Sequence, residues 1–213
     1  MGGVQAPSGS AASLTYADAQ AIADPRNVPD ATIVAPEFTG NTQVIFGSAN
    51  INTKVTGTTP EYLTAFGMEI SRGRFITEGD VSGRETVAVL GSTAASNLFG
   101  GFDPIGQKIK VSMPGAAGGR VSLTVVGILS PQGGSRFSDP DNAIIVPITT
   151  AQTKIFDGRN AQGESVVTSV NVVVGNEERV DAITNQINTL LLRRHGFKPG
   201  EEGDFSVVSQ ADL

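Results

Sequence analysis

Residues 57–129 constrain the fold of this chain most, because they alternate short strand and helix signals with turn residues. Residues 59–61 (TPE) are a strong helix start, with a capping residue, a proline at the first helical position and a carboxylate near the positive end of the helix dipole. Residues 86–90 (TVAVL) have the composition of a buried strand. Residues 107–113 and 120–129 predict a hairpin with a glycine-rich tip. The order of these elements predicts a small mixed α/β unit.

The two ends of the chain carry longer helices beside extended segments. Thr15 is a plausible N-cap, and Asp18 three residues later completes a capping pattern. A second helix follows Asn176 and is closed by Gly196. Its apolar residues fall on one face at helical spacing, namely Val180, Ile183, Ile187, Leu190 and Leu191.

These patterns predict an α+β fold with an inserted subdomain. One domain is built from both ends of the chain, residues 14–58 and 143–213, and residues 59–142 form the insertion. We expect the two parts to move relative to each other about joints near Thr58 and Pro147.

Three further predictions are local. Residues 31–38 and 42–46 are predicted as two extended segments joined by residues 39–41 (TGN). Residues 78–85 have the composition of a turn and lack the spacing of a calcium loop. Residues 204–208 are predicted as a final strand.

Composition excludes several classes of partner and chemistry. The chain has 213 residues, 39% of them hydrophobic and 17% charged, which is typical of a globular protein. Its formal net charge of -6 disfavours nucleic acid and anionic lipid as partners. It has no cysteine and no apolar run long enough for a membrane helix. Residues 1–13 lack the pattern of a signal peptide and are predicted as a flexible leader.

His195 is the single histidine of the chain. A histidine-centred triad and a multi-histidine zinc site are therefore impossible within it. We favour His195 as a positive charge at the end of a helix, where it suits the dipole, over a lone acid-base group. The cluster Glu201, Glu202 and Asp204 is interpreted as solvated surface. We predict no catalytic residues, no metal site and no cofactor.

Arg72 and Arg74 flank Gly73, so both side chains could emerge on one side of an extended segment. They could clasp a carboxylate across a joint between domains or subunits. A local ion pair to a carboxylate nearby in the sequence is the favoured alternative, with Glu69, Glu78 and Asp80 as candidates.

Several apolar residues near predicted loops are candidate contact anchors, namely Phe99, Phe102, Ile105 and Phe137. The alternative is that they cover the core beneath the turns. With Arg72, Arg74, Thr58 and Pro147, the three phenylalanines make up the predicted interface or hinge residues.

The order of motifs in the chain resembles the extracytoplasmic core domain of MacB-like ABC transporter permeases, the FtsX-related group. The resemblance covers nearly the whole chain from Leu14 onward. It rests on the segments GTTPEY at 57–62, RGRF at 72–75, VAVLG at 87–91, LF at 98–99, DPIGQKI at 103–109, VVGIL at 125–129, IVP at 145–147, TAQ at 150–152, HG at 195–196 and DF at 204–205.

The resemblance implies a position outside the cytoplasmic membrane, between the first two membrane helices of a permease. It implies a Porter-like part formed by both chain ends (14–58 and 143–213) and an inserted Sabre-like subdomain (59–142). Family members act as homodimers or heterodimers, couple to cytoplasmic ATP hydrolysis and work in export with an adaptor, in lipoprotein release or in the control of cell-wall enzymes. The implied partners are a second permease copy, a cytoplasmic ATPase domain and a periplasmic adaptor. No nucleotide-binding motif of the ATPase is present in this chain.

The leading hypothesis is therefore a non-enzymatic extracytoplasmic domain that transmits motion and contacts an adaptor or cargo. A free-standing secreted binding or adhesion domain is the alternative, and it would lack catalytic groups equally well. A hydrolase acting through His195 or the acidic cluster at 201–204 is the third reading.

Overall fold

The computed structural model describes residues 2–5, 13–115, 118–133, 140–198 and 200–209. The strands are β1 (Gly2–Gln5), β2 (Ala31–Phe46), β3 (Ala49–Thr58), β4 (Ile70–Gly73), β5 (Val87–Leu90), β6 (Lys108–Ser112), β7 (Arg120–Leu129), β8 (Ile144–Pro147), β9 (Ser169–Val174) and β10 (Ser206–Ser209). The helices are α1 (Tyr16–Ala23), α2 (Glu61–Ala65), α3 (Glu78–Gly83), α4 (Ser92–Phe99), α5 (Ile148–Thr150) and α6 (Val180–Arg194), with a π-helical turn at Ala151–Ile155.

The chain divides into two compact units. The terminal unit comprises Met1–Glu37 with Arg159–Leu213, and the central unit comprises Phe38–Gly158. The mixed α/β character predicted from the sequence is confirmed. The chain passes between the units after Glu37 and after Gly158, whereas the sequence places the joints at Thr58 and Pro147. The division into Porter-like and Sabre-like parts at 58/59 and 142/143 stays a prediction.

The terminal unit is an antiparallel sheet with two helices. Its strand order is β10-β1-β9-β2, and β2 contributes residues 31–37. Helix α1 begins with the predicted capping box, in which Thr15 and Asp18 satisfy each other's backbone N–H groups. Helix α6 buries one face, as its 3.6-residue periodicity predicts, through Ile183, Ile187, Leu190, Leu191 and Leu192.

The central unit is built on a mixed sheet. Its strand order begins with residues 38–46 of β2 and continues through β3, β8, β5, β7 and β4. Strand β6 lies outside this order and pairs with both β2 and β7. The pairs β3–β8 and β5–β7 are parallel, and the remaining pairs are antiparallel. Strands β5 and β8 lie inside the sheet, which explains why they read as continuous apolar runs. The predicted hairpin of β6 and β7 is confirmed.

The predicted division into two extended segments at residues 39–41 is wrong, because β2 continues through these residues. Gly40 pairs with Val55 in an uninterrupted antiparallel ladder with β3. A glycine is needed there for packing, since a Cβ on Gly40 would lie 2.5 Å from the ring of Phe156. The chain reverses later, at Gly47, whose φ of 57° suits a tight hairpin turn.

The turn predicted over residues 78–85 is also wrong, because residues 78–83 form helix α3. Thr77 caps this helix and forms a second capping box with Asp80. The T-x-x-D pattern at residues 77–80 is the same as at residues 15–18, and it outweighs the local turn composition. One other predicted boundary shifts by a few residues: the final strand, predicted at 204–208, is β10 at 206–209.

Candidate functional site

Arg74 and Asp80 form an ion pair in the central unit. The guanidinium Nη1 of Arg74 donates to Oδ2 of Asp80 across 2.6 Å. Asp80 is 6% exposed, and its carboxylate also accepts the backbone N–H and the hydroxyl of Thr77. Burial raises the pKa of Asp80, but the hydrogen bonds from Arg74 and Thr77 outweigh burial and hold it below its usual value. Arg74 therefore fastens the start of α3 to the end of β4.

Arg72 pairs with a carboxylate that the sequence does not single out as its partner. Its Nη2 donates to Oδ2 of Asp103 across 2.8 Å, and both side chains are more than half exposed. Asp103 also accepts the backbone N–H of Ile105. That hydrogen bond helps to hold the pKa of Asp103 below its usual value and fixes the turn after α4. Within the central unit, Arg72 and Arg74 therefore bind two different carboxylates.

The predicted aromatic anchors fall into different environments. Phe102 is 77% exposed, the one large apolar side chain among the described residues that stands so far out. Phe99 is 2% exposed and packs against Phe46, with ring centroids 4.1 Å apart, so it belongs to the core. Phe137 lies outside the described residues.

An open groove of about 390 Å³ runs beside Phe102 in the central unit. Strand β4, helix α4, the turn after α4 and the end of β7 form its walls. Its lining includes Arg72 and Phe102 together with small side chains, among them Ser71, Ser92, Ala95 and Ser96. The groove thus combines an exposed aromatic ring, an arginine and small side chains on one surface of the central unit.

Thr58 and Pro147 lie side by side. They are the last register pair of the parallel strands β3 and β8, and both are buried in the central unit. The structure therefore brings together two residues that are 89 positions apart in the sequence. Their predicted role as a hinge stays a prediction.

A second ion network lies in the terminal unit, around His195. Its Nε2 is 2.9 Å from Oδ2 of Asp18, and its Nδ1 is 2.7 Å from Oδ1 of Asp204. The His195 side chain is 10% exposed and that of Asp18 is 3% exposed. Arg194 donates to the other oxygen of Asp18 across 2.6 Å. The ring of Phe205 meets the imidazole edge-on, with centroids 5.5 Å apart.

The pKa of His195 follows from these neighbours. Burial lowers it, but the hydrogen bonds to Asp204 and Asp18 and the negative charges of both carboxylates outweigh burial and raise it above its usual value of 6.5. The pKa of Asp18 is held below its usual value, because Arg194 and His195 outweigh the effect of burial. Both ring nitrogens of His195 are thus bound by carboxylates, so His195 joins structural elements rather than standing as a free acid-base group.

Sequence reasoning missed this network in two respects. It interpreted His195 as a charge that suits the helix dipole and Asp204 as solvated surface, whereas both are parts of one cluster. The available signal was the capping aspartate, Asp18, which needs a cation once it is buried. Nothing in the sequence states that residues 177 positions away supply that cation. Among the residues that the structure describes, no group of acidic and histidine side chains could hold a metal ion.

No helix in the described ranges has the length and apolar character that a membrane span requires. With the fold and both ion networks established, the class of protein follows from comparison with known families. The family model of the MacB-like periplasmic core domain matches residues 1–190 of this chain. The chain belongs to the family of MacB-like periplasmic core domains of ABC transporter permeases.

Curated relatives and solved structures agree with this assignment. The chain is 30% identical over 214 residues to the macrolide export ATP-binding/permease protein MacB of Bdellovibrio bacteriovorus, covering 100% of this chain and 31% of that protein. It is 30% identical over 203 residues to the MacB protein of an Azoarcus species, covering 95% of this chain and 28% of that protein. The chain thus spans about a third of the length of these relatives.

Two solved structures share the fold. The extracellular domain of the noncanonic ABC-type transporter YknZ from Gram-positive bacteria superposes with a TM-score of 0.73 at 16% identity, covering 98% of this chain and 99% of that one. The periplasmic region of MacB from Actinobacillus actinomycetemcomitans gives a TM-score of 0.73 at 19% identity, covering 97% of this chain and 87% of that one. At these identities the likeness concerns the fold alone.

Proposed function

We propose that this chain is the extracytoplasmic, non-enzymatic part of an ABC transporter, where it transmits ATP-driven conformational change and contacts an adaptor or cargo. The observation that carries the proposal is the family match over residues 1–190, which spans both units. The relatives of similar sequence are named as combined ATP-binding and permease proteins. A second permease copy, a cytoplasmic ATPase domain and a periplasmic adaptor are accordingly the proposed partners.

The position outside the membrane can be tested by cysteine labelling, because the chain has no cysteine of its own. In the full-length protein, with any cysteine outside this chain replaced by serine, Ser82→Cys places a thiol at an exposed position of α3. A membrane-impermeant maleimide added to intact spheroplasts should label this variant. The matched control is Ala88→Cys in β5, which is fully buried and should react only after unfolding. Labelling of Ser82→Cys only after cell lysis would refute the proposed location.

Transmission of motion can be tested with spin labels in the full-length transporter. One label is placed at exposed Gln20 in the terminal unit and the other at exposed Ser82 in the central unit. The distance distribution should change between nucleotide-free protein and protein trapped with a non-hydrolysable ATP analogue. A control pair within the central unit, Ser82 and exposed Lys110, should stay unchanged. Identical distributions for the first pair in both states would reject coupling.

The groove beside Phe102 is the proposed contact surface for the adaptor. Phe102 is exposed without covering a core, and Arg72 lies on the same groove. Replacement of a central aromatic anchor weakens association by about 2 kcal/mol or more, roughly thirtyfold in Kd. Phe102→Ser should therefore weaken binding of the purified adaptor encoded with the transporter by about that factor, whereas Lys110→Ala on β6 should not. Equal affinities for wild type and Phe102→Ser would place the adaptor elsewhere.

A free-standing secreted binding domain predicts different results. The gene would then contain no apolar segment of about 20 residues beside the region that encodes this domain. The labelled protein would be found in the culture medium rather than in the membrane fraction. Either result would replace the transporter proposal with the alternative.

A further inference from the structure

We propose that His195 is a pH-dependent latch, which holds the segment leading into β10 against helix α1 and releases it when the imidazolium loses its proton. The latch goes beyond the proposed transport function, since it concerns the terminal unit whatever that unit contacts. It is formed by one side chain from α1, one from the end of α6 and one from the segment before β10, namely Asp18, His195 and Asp204.

The geometry of the ring requires a proton on each nitrogen. A neutral imidazole has one N–H donor and one lone pair, whereas the imidazolium has two donors. Both nitrogens of His195 face carboxylate oxygens, at 2.9 Å and 2.7 Å, and carboxylates only accept hydrogen bonds. Loss of one proton therefore points a nitrogen lone pair at a carboxylate oxygen. One of the two contacts must then break.

The contact to Asp204 is the one that breaks. Asp18 is 3% exposed and also accepts from Arg194, so it cannot exchange its partners for water. The side chain of Asp204 is 34% exposed and can be solvated. The remaining ring proton therefore stays on Nε2 toward Asp18, and Asp204 turns into solvent. The side chain of Asp204 loses its contact with His195, at the end of α6, at the same moment.

Release of Asp204 reaches β10 through the chain itself. Asp204 lies two residues before β10, which pairs on one side with β1 and forms the edge of the terminal sheet. The carbonyl of Asp204 also accepts from the hydroxyl of Ser13 across 3.0 Å. A short edge strand with few cross-strand hydrogen bonds depends on additional contacts of this kind for its stability. Residues 204–209 should therefore open more often once the imidazole is neutral.

The charged neighbours fix the direction of the pH response. The groups facing His195 are Asp18 from α1, Asp204 from the segment before β10, and Arg194 of its own helix, which reaches the far oxygen of Asp18. The carboxylates raise the pKa of the imidazole above 6.5. The contribution of His195 is therefore complete below pH 6.5 and is lost as the pH rises through the higher value in the folded protein.

Two measurements on the whole chain test the latch. As the chain has a single histidine, ¹³C-labelled histidine gives one imidazole signal whose titration is unambiguous. Its midpoint should lie above 6.5. Amide exchange of residues 204–209, corrected for intrinsic rates, should become about tenfold faster through the same midpoint. A midpoint at or below 6.5, or no step in exchange, would overturn the proposal.

Variants distinguish release of the latch from a general loss of stability. Asp204→Asn should lower the imidazole midpoint and abolish the step in exchange, and His195→Gln should abolish the step as well. Arg193→Gln removes a positive charge from the same exposed helix end and should keep the step. The start of α3 is an internal reference, because its capping carboxylate is bound by Arg74 and should show no step. If His195→Gln does not fold, Asp204→Asn is the deciding variant. A step in amide exchange that persists in Asp204→Asn would overturn the latch.

Discussion

The guanidinium of Arg74 donates to Asp80 across 2.6 Å, and the same carboxylate accepts the backbone N–H of Thr77 across 2.9 Å. Helix α1 of the other unit begins in the same manner, with Asp18 in the position of Asp80 and Arg194 in that of Arg74. Each unit thus has one helix whose first turn is fixed by a capping aspartate that an arginine holds. The terminal unit adds a histidine to this arrangement, and the central unit does not.

Removal of the capping aspartate in the central unit should destabilise it. Asp80→Ala removes the acceptor for the N–H of Thr77 and leaves Arg74 without its partner. We expect a loss of about 1–2 kcal/mol in the free energy of unfolding, measured by urea denaturation. Asp103→Ala, which removes an exposed carboxylate that also pairs with an arginine, should cost clearly less, because an exposed ion pair contributes little to stability. Equal losses in the two variants would contradict the role of burial.

The two capping aspartates should also set the stability of the protein in acid. Their pKa values in the folded protein lie below the usual 3.8. Their contribution is therefore present above pH 3.8 and is lost as the pH falls through the lower values of the folded state. Urea unfolding between pH 6 and pH 2.5 should show this decline. It should be much shallower in the double variant Asp18→Asn/Asp80→Asn, although that variant is less stable at pH 6. An equally steep decline there would assign acid sensitivity to other carboxylates.

Close contact between β4 and β7 should make Gly127 intolerant of a side chain. A Cβ at this position would lie 2.0 Å from the carbonyl oxygen of Arg74, which is backbone and cannot move alone. Gly127→Ala should therefore cost about 3 kcal/mol in the free energy of unfolding. Gly101→Ala is the matched control, since nothing lies within 4 Å of a Cβ there. A thermal unfolding midpoint shared by Gly127→Ala and wild type would show that β4 can shift freely.

Two neighbouring phenylalanines should differ in their effect on stability. Phe99→Ala opens a cavity against Phe46 and should cost about 3–5 kcal/mol. Phe102→Ala removes a ring that is 77% exposed and should leave the free energy of unfolding unchanged. Chemical denaturation of both variants under the same conditions checks this. A large loss in Phe102→Ala would mean that the ring covers the core and is not available to a partner.

Several parts of the fold could be predicted because their cause is local. The capping box at Thr15 and the buried face of α6 depend on residues three or four positions apart, which the sequence shows directly. The hairpin of β6 and β7 follows from two strand signals around a glycine-rich tip. The family also could be predicted, since ordered motifs along one chain need no knowledge of contacts.

The failed prediction at residues 39–41 has a different cause. Residues 39–41 continue a strand because β3 supplies their hydrogen bonds and Phe156 fills the space beside Gly40. The β3 partners lie across the next hairpin and Phe156 lies 116 positions from Gly40, so the local turn composition does not predict the strand. The groove beside Phe102 is likewise assembled from separate elements, β4, α4 and the end of β7.

The sequence by itself determined the family, the mixed α/β class, the capping box at Thr15 and the buried helical face, because these depend on residue order and short-range periodicity. Tertiary structure alone decided which carboxylate each arginine binds and that His195 lies between Asp18 and Asp204. The physical reason is that the energy of a buried charge depends on the groups within a few ångströms of it. In this fold those groups come from residues up to 177 positions away along the chain.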